Sequence, residues 1–128
     1  MITDSFPIAL PANILQENLE VLDSGRSIKI EIKYNDGLKF YKDNLIFKEV
    51  IAFKTTYLYA LTFEETENAK IDGIVKLEKS DWLDSVSNSI KLYNQKPKDY
   101  SHFKVFFDRG PLYDILCKTV EFELNKLC

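Results

Sequence analysis

The chain has 128 residues, a length that suits one domain, 1–128, with its own core. With 45% hydrophobic and 13% aromatic residues, that core needs neither a metal nor a disulfide, and four Gly and four Pro leave little room for low-complexity sequence. The net charge of −3, from 17 basic and 20 acidic residues, lacks the basic excess of a general nucleic-acid binder and is a poor fit to anionic membranes.

Residues 11–22 are ambiguous. Leu15, Leu19 and Leu22 have helical spacing after Pro11, while Leu19 and Val21 before Asp23-Ser24-Gly25 fit a short strand and turn equally; the preferred reading is a short helix or irregular arm leading into a strand. From Ser27 to Tyr34 the pattern is plain. Ile28, Ile30, Ile32 and Tyr34 alternate with Lys29, Glu31 and Lys33, as in a strand with one dry and one wet face. Asn35-Asp36-Gly37 then predicts a hairpin, because Asp-Gly tolerates the positive φ of tight turns. Leu38–Tyr41 is its return strand, and Lys42-Asp43-Asn44 reads as another turn. Leu45–Phe47, Val50–Phe53 and Thr55–Phe63 are strand-like, being rich in β-branched and aromatic residues. The acids of Glu64–Asn68 want solvent and mark a loop, after which Ile71–Leu77 resumes as a strand.

Ser80 changes the period. Its hydroxyl can accept from the free amides of a first turn, and Asp81 and Asp84 favour the positive end of a helix dipole. Leu83, Val86, Ile90 and Tyr93 make one apolar stripe, so a helix is expected over 80–94, with Pro97 beyond it. His102–Phe107 returns to strand, Asp108-Arg109-Gly110-Pro111 is a turn, and Leu112–Cys117 is the partner strand. After a bend or bulge at Lys118-Thr119, Val120, Phe122 and Leu124 alternate with Glu121 and Glu123 in a closing strand. The fold class expected is α+β: a mostly antiparallel curled sheet or open barrel of about seven strands, with the helix packed on it.

The motifs of chemistry are sparse. His102 is the single histidine, and without an orienting acid at a telling distance it reads as a surface or edge residue. Asp99 and Asp108 are near it in sequence, but neither spacing specifies a contact. No clustered Cys and His suggest zinc, and no phosphate loop, dinucleotide fingerprint or nucleophile elbow can be assembled, so no cofactor or metal is expected. Cys117 and Cys128 read as two free thiols, the first a small buried hydrophobe. Trp82 reads as a staple clamping the first helical turn onto the sheet, with an exposed anchor as the alternative. Tyr57 and Tyr59 would share one strand face, while Tyr93 and Tyr100 bracket the helix exit. Tyrosine and tryptophan suit half-wet contact surfaces, so Trp82, Tyr57, Tyr59, Tyr93, Tyr100 and His102 form the candidate binding set.

The order Ser80-Asp81-Trp82-Leu83, His102–Asp108 and Tyr113-Asp114-Ile115-Leu116 resembles small uncharacterised bacterial α+β proteins. These have a strand, a Trp-bearing helix, a His-Phe strand and a closing hairpin. Some of these look like immunity partners encoded beside toxins. The resemblance spans roughly the last half of the chain and implies no catalytic residue.

The expected function is therefore a non-enzymatic protein-binding module, of the immunity or scaffolding kind. Mild acidity favours a basic protein partner. The alternative is a small-molecule-binding module with an aromatic-lined pocket between sheet and helix. An enzyme using His102 with a carboxylate supplied by the fold ranks third. No nucleic acid or membrane is expected as a partner, and a homodimer through a free strand edge is open. The first residues lack a basic start followed by an apolar run, and no stretch nears the roughly 20 apolar residues of a membrane span, which together suggest a cytoplasmic protein.

Overall fold

A computed structural model describes residues 3–9, 14–57, 73–77, 79–91, 100–107 and 111–127. Among these residues the chain forms nine strands and one α-helix, arranged as two compact units. The first unit holds β1 (Thr3–Ala9), β5 (Ala52–Thr56), β6 (Gly73–Leu77), α1 (Asp81–Lys91), β7 (Ser101–Phe106) and β8 (Leu112–Cys117). Its sheet runs β1-β6-β7-β8-β5, antiparallel throughout. The second unit holds β2 (Ile14–Leu22), β3 (Ser27–Asn35), β4 (Phe40–Lys48) and β9 (Thr119–Leu127), in the antiparallel order β2-β3-β4-β9.

The mostly antiparallel α+β architecture with one helix agrees with the sequence. The single curled sheet or open barrel of about seven strands does not. There are two sheets and nine strands, and no closed barrel is formed among the described residues. Three changes of sheet explain the difference, the first of them between β1 and β2. After β4 the chain leaves for β5, which pairs with β8; after β8 it bends at Lys118 and returns to β4 as β9. The bend expected at Lys118-Thr119 marks where the last change occurs, but the destination of each change has no local signature, because it depends on which distant strand supplies the hydrogen-bonding edge.

In the second unit the two-residue rhythm of β3 works as read. Ile28, Ile30 and Ile32 are fully buried, and Ile28 and Ile30 lie opposite Phe47 and Leu45 on β4. Each such side chain contributes about 1.5–3 kcal/mol by leaving water. The hairpin forms around Asp36–Lys39, where Asp36 Oδ1 accepts from the amides of Leu38 (2.9 Å) and Lys39 (2.8 Å). Those two amides hold the Asp36 carboxyl below its ordinary value. Gly37 supplies the positive φ of 95°.

Two local expectations fail here for tertiary reasons. Residues 14–22 are a nine-residue strand and not a helix or irregular arm. A register irregularity between Ile14 and Gln16 breaks the alternation, so the segment carries no clean strand signature. Lys42-Asp43-Asn44 is no turn but the middle of β4. Asp43 faces the apolar side opposite Ile32 and accepts the Tyr34 hydroxyl at 3.0 Å, while Asn44 Nδ2 donates to Glu123 Oε1 on β9 at 3.0 Å. Burial of Tyr34, with the hydrogen bond and charge of Asp43, pushes its phenol up to about 12.

In the first unit β7 lies between β6 and β8, and His102 to Phe106 and all of β8 are buried. Cys117 is fully buried, as expected of it, and burial pushes its thiol up to about 12. The thiolate is the reactive species. In a Cys128→Ser variant the native protein should therefore resist a disulfide-exchange reagent that titrates one thiol at once in denaturant. Rapid native labelling would contradict this burial.

Candidate functional site

The chemistry of the first unit collects at the entrance of α1. Ser80 is the N-cap expected from sequence: its Oγ accepts the Leu83 amide at 3.0 Å, and its carbonyl accepts the Asp84 amide at 3.0 Å. The helix then runs to Lys91, with Leu83 and Val86 half-buried; positions 92–94 of the expected helix lie outside the described residues.

The same hydroxyl lies 2.6 Å from His102 Nδ1, and His102 Nε2 lies 2.6 Å from Asp114 Oδ1. Lys104 Nζ is 2.9 Å from that same oxygen. Register explains the convergence. Lys104 and Asp114 are directly opposed on β7 and β8, and His102, two residues from Lys104, shares its face and reaches Asp114 on the diagonal. All four groups are almost dry: Ser80 is 8% exposed, Lys104 6%, His102 4% and Asp114 0%.

The donors and acceptors fix the protons. Burial works against ionisation of Asp114, but the His102 hydrogen bond and the charge and hydrogen bond of Lys104 outweigh it and hold the carboxyl below its ordinary value. An ionised Asp114 only accepts, so His102 Nε2 carries the proton and donates it. Nδ1 shares a hydrogen bond with the Ser80 oxygen, which also accepts from Leu83 N–H. The second carboxylate oxygen, Asp114 Oδ2, is buried and has no hydrogen-bond partner among the described residues.

A serine, a histidine and an aspartate in series have the connectivity of a nucleophilic triad. The ring nitrogens are exchanged, however: the serine here sits on Nδ1 and the aspartate on Nε2. Ser80 Oγ is also committed to Leu83 and buried. What this arrangement does is tie the first turn of α1 to the centre of the sheet. Ser80→Ala should cost about 1–3 kcal/mol, because it removes a cap and leaves a buried imidazole nitrogen without its hydrogen-bond partner. Urea unfolding followed by fluorescence of the single tryptophan, Trp82, measures it, and a loss indistinguishable from zero would refute the clamp.

Of the six residues in the candidate binding set, two meet. Trp82, half-buried, packs edge-on to His102 with ring centroids 5.3 Å apart. Lys54 Nζ lies 4.9 Å from the Trp82 ring centroid, a cation–π contact from β5. Trp82 thus does the stapling expected of it. The surface or edge reading of His102 is overturned, because β7 is an inner strand and the helix entrance covers its first residues. Tyr57 follows β5 and is 61% exposed; Tyr100 is half-buried just before β7. Tyr59 and Tyr93 lie outside the described residues, as do Asp99 and Asp108.

Sequence reading missed Lys104 and Asp114. A signal was present. Each is the one charge in the middle of a mostly apolar strand, but equal steps outward from the turn expected at 108–111 would set Lys104 against Ile115. The actual register, Phe106 against Leu112, differs by one residue and is what opposes the two charges. Among the described residues no group of three or more His, Cys, Asp or Glu side chains could hold a metal ion, and no helix is long and apolar enough to cross a membrane. Comparison of the chain with known protein families, with curated proteins and with solved structures yields no match.

Proposed function

We propose that this protein is a non-enzymatic protein-binding module of the immunity or scaffolding kind, working in the cytoplasm. One observation carries the reading. Three large apolar side chains stand in solvent at one end of the four-stranded sheet: Leu38 (91% exposed), Phe40 (60%) and Leu127 (63%). Leu38 is in the β3–β4 hairpin loop, Phe40 opens β4, and Leu127 is registered against Tyr41 beside it. Phe40 lies on the wet face and Leu127, opposed to Tyr41, on the other, so the exposed apolar groups share an end of the sheet and not one face. Large apolar side chains left this close together in solvent mark a contact surface. The buried, fully committed Ser80 supports the absence of nucleophilic catalysis from this reading.

Lysate capture with wild-type protein and with a Leu38→Ser/Phe40→Ser variant tests it. A stoichiometric partner recovered by the first and lost from the second is the expected result. Recovery of no such partner, or equal recovery by both, overturns the reading. Self-association would appear in the same comparison as a sedimentation difference between the two proteins.

The small-molecule alternative rests on Asp114 Oδ2, a dry acceptor on the face of the sheet where α1 begins. A metabolite that donates to it would raise the melting temperature of the wild type and not of Asp114→Asn.

A further inference from the structure

We propose that the partner presents an acidic segment with an adjacent apolar side chain, and that this segment docks on the exposed face of the four-stranded sheet around Lys42 and Phe40. The inference rests on the protein-binding reading above and gives that surface its chemistry.

The face is organised in cross-strand rows. Lys33, Lys42 and Lys126 are in direct register across β3, β4 and β9. Like charges opposite one another destabilise a sheet, so such a row works against the fold. The next row inward is Glu31, Asn44 and Glu123. It answers the outer lysines: Lys33 pairs with Glu31 at 3.8 Å and Lys126 with Glu123 at 3.4 Å. The middle strand supplies Asn44 where an acid would be needed, so Lys42 makes no ion pair among the described residues. Farther along the same face, Lys29 has Glu20 at 3.5 Å and Lys48 has Glu121 at 2.9 Å. The unmatched charge is therefore local to Lys42.

On its other side Lys42 meets the row of Asn35 and Phe40. Phe40 shares the face of Lys42, roughly 7 Å along the strand. Lys39, exposed in the hairpin loop, adds a second cation with no acid partner among the described residues. Two ammonium groups with no ion pair among the described residues thus flank an exposed aromatic ring, and the one acid of the loop, Asp36, is taken up by the amides of Leu38 and Lys39. Their complement is one or two carboxylates beside an apolar group.

The net charge of −3 favours a basic partner at long range. Contact is decided closer in, because acids more than about 8 Å away are screened at physiological salt. A nucleic-acid backbone fits less well than a peptide. It carries a charge about every 1.7 Å along a duplex and would run over Glu31 and Glu123 as well as over the lysines.

The test uses the full chain, isotope-labelled for amide NMR, and three probes: a synthetic peptide of Glu and Asp around one Phe, the same peptide with Lys at every acid, and a single-stranded oligonucleotide. The acidic peptide should shift the amides of Lys33, Phe40–Lys42 and Lys126. Its affinity should fall as salt rises and should drop about tenfold in Lys42→Glu, as for loss and reversal of one contact charge. Lys42→Glu relieves lysine–lysine repulsion, so its melting temperature should hold or rise, which separates binding from folding. Equal binding of the Lys-substituted peptide, tighter binding of the oligonucleotide, or indifference to Lys42→Glu would each overturn the proposal. Lysate capture distinguishes the two levels of failure. A partner lost from Leu38→Ser/Phe40→Ser but kept by Lys42→Glu leaves protein binding standing and removes the acidic segment; a partner kept by both removes both.

Discussion

Asp114→Ala should destabilise the protein by about 3–5 kcal/mol, the cost typical of removing one partner from a buried ion pair. The substitution strands the Lys104 ammonium, 6% exposed, and the His102 Nε2 proton, 4% exposed, with nothing in their place. Denaturant unfolding measures the loss. A change below about 1 kcal/mol would mean that water reaches the cluster and that Asp114 is not what holds it. The companion variant Asp114→Leu/Lys104→Met removes both charges together and should recover much of the loss, because well-packed apolar residues can replace a buried pair at little cost. Failure of that recovery would point to a requirement for His102 to be oriented by an acid.

The same carboxylate sets an acid limit on stability. Its pKa is lowered from 3.8 on folding. The folded state therefore binds the proton less readily than the unfolded chain. The contribution is present in full above pH of about 4 and is lost as pH falls through the folded value. A plot of unfolding free energy against pH should turn down on the acid side of about pH 4, and Asp114→Asn should flatten that part of the curve. An unchanged curve in Asp114→Asn would assign the acid transition to other carboxylates.

Phe47→Ala should cost about 3–5 kcal/mol, the range for truncating a buried aromatic. Phe47 is fully buried on β4, with Ile28 opposite on β3 and Val120 opposite on β9. Its sequence neighbour gives the control. Ile46 points to the other face, half-buried between Lys29 and Glu121, so Ile46→Ala should cost about 1 kcal/mol or less. Equal losses at the two positions would mean that the dry and wet faces of this sheet have been wrongly distinguished.

The balance between local and distant information shows in three polar groups. Ser80 was legible as a helix cap, because capping is settled within three residues: its oxygen meets the Leu83 amide. Its bond to His102, 22 residues away, was not legible. Asp43 reads as a turn residue until Tyr34 is known to lie within hydrogen-bonding reach across the strand pair. Asn44 likewise settles inside β4 by bonding Glu123, 79 residues on. In each case a turn-forming residue is kept in a strand, or a lone one is buried, by a partner that propensity rules do not see.

By itself the sequence determined the face of β3, the hairpin at Asp36-Gly37, the start of the helix at Ser80 and the run of antiparallel strands. All of these follow from side-chain period and backbone freedom over a few residues. Only the tertiary structure decided that the strands divide between two sheets, that β7 is an inner strand, and that His102, Lys104 and Asp114 meet away from water. It also aligned Lys33, Lys42 and Lys126 in one row. Such choices depend on register between distant strands, where a shift of one residue would turn every side chain to the opposite face.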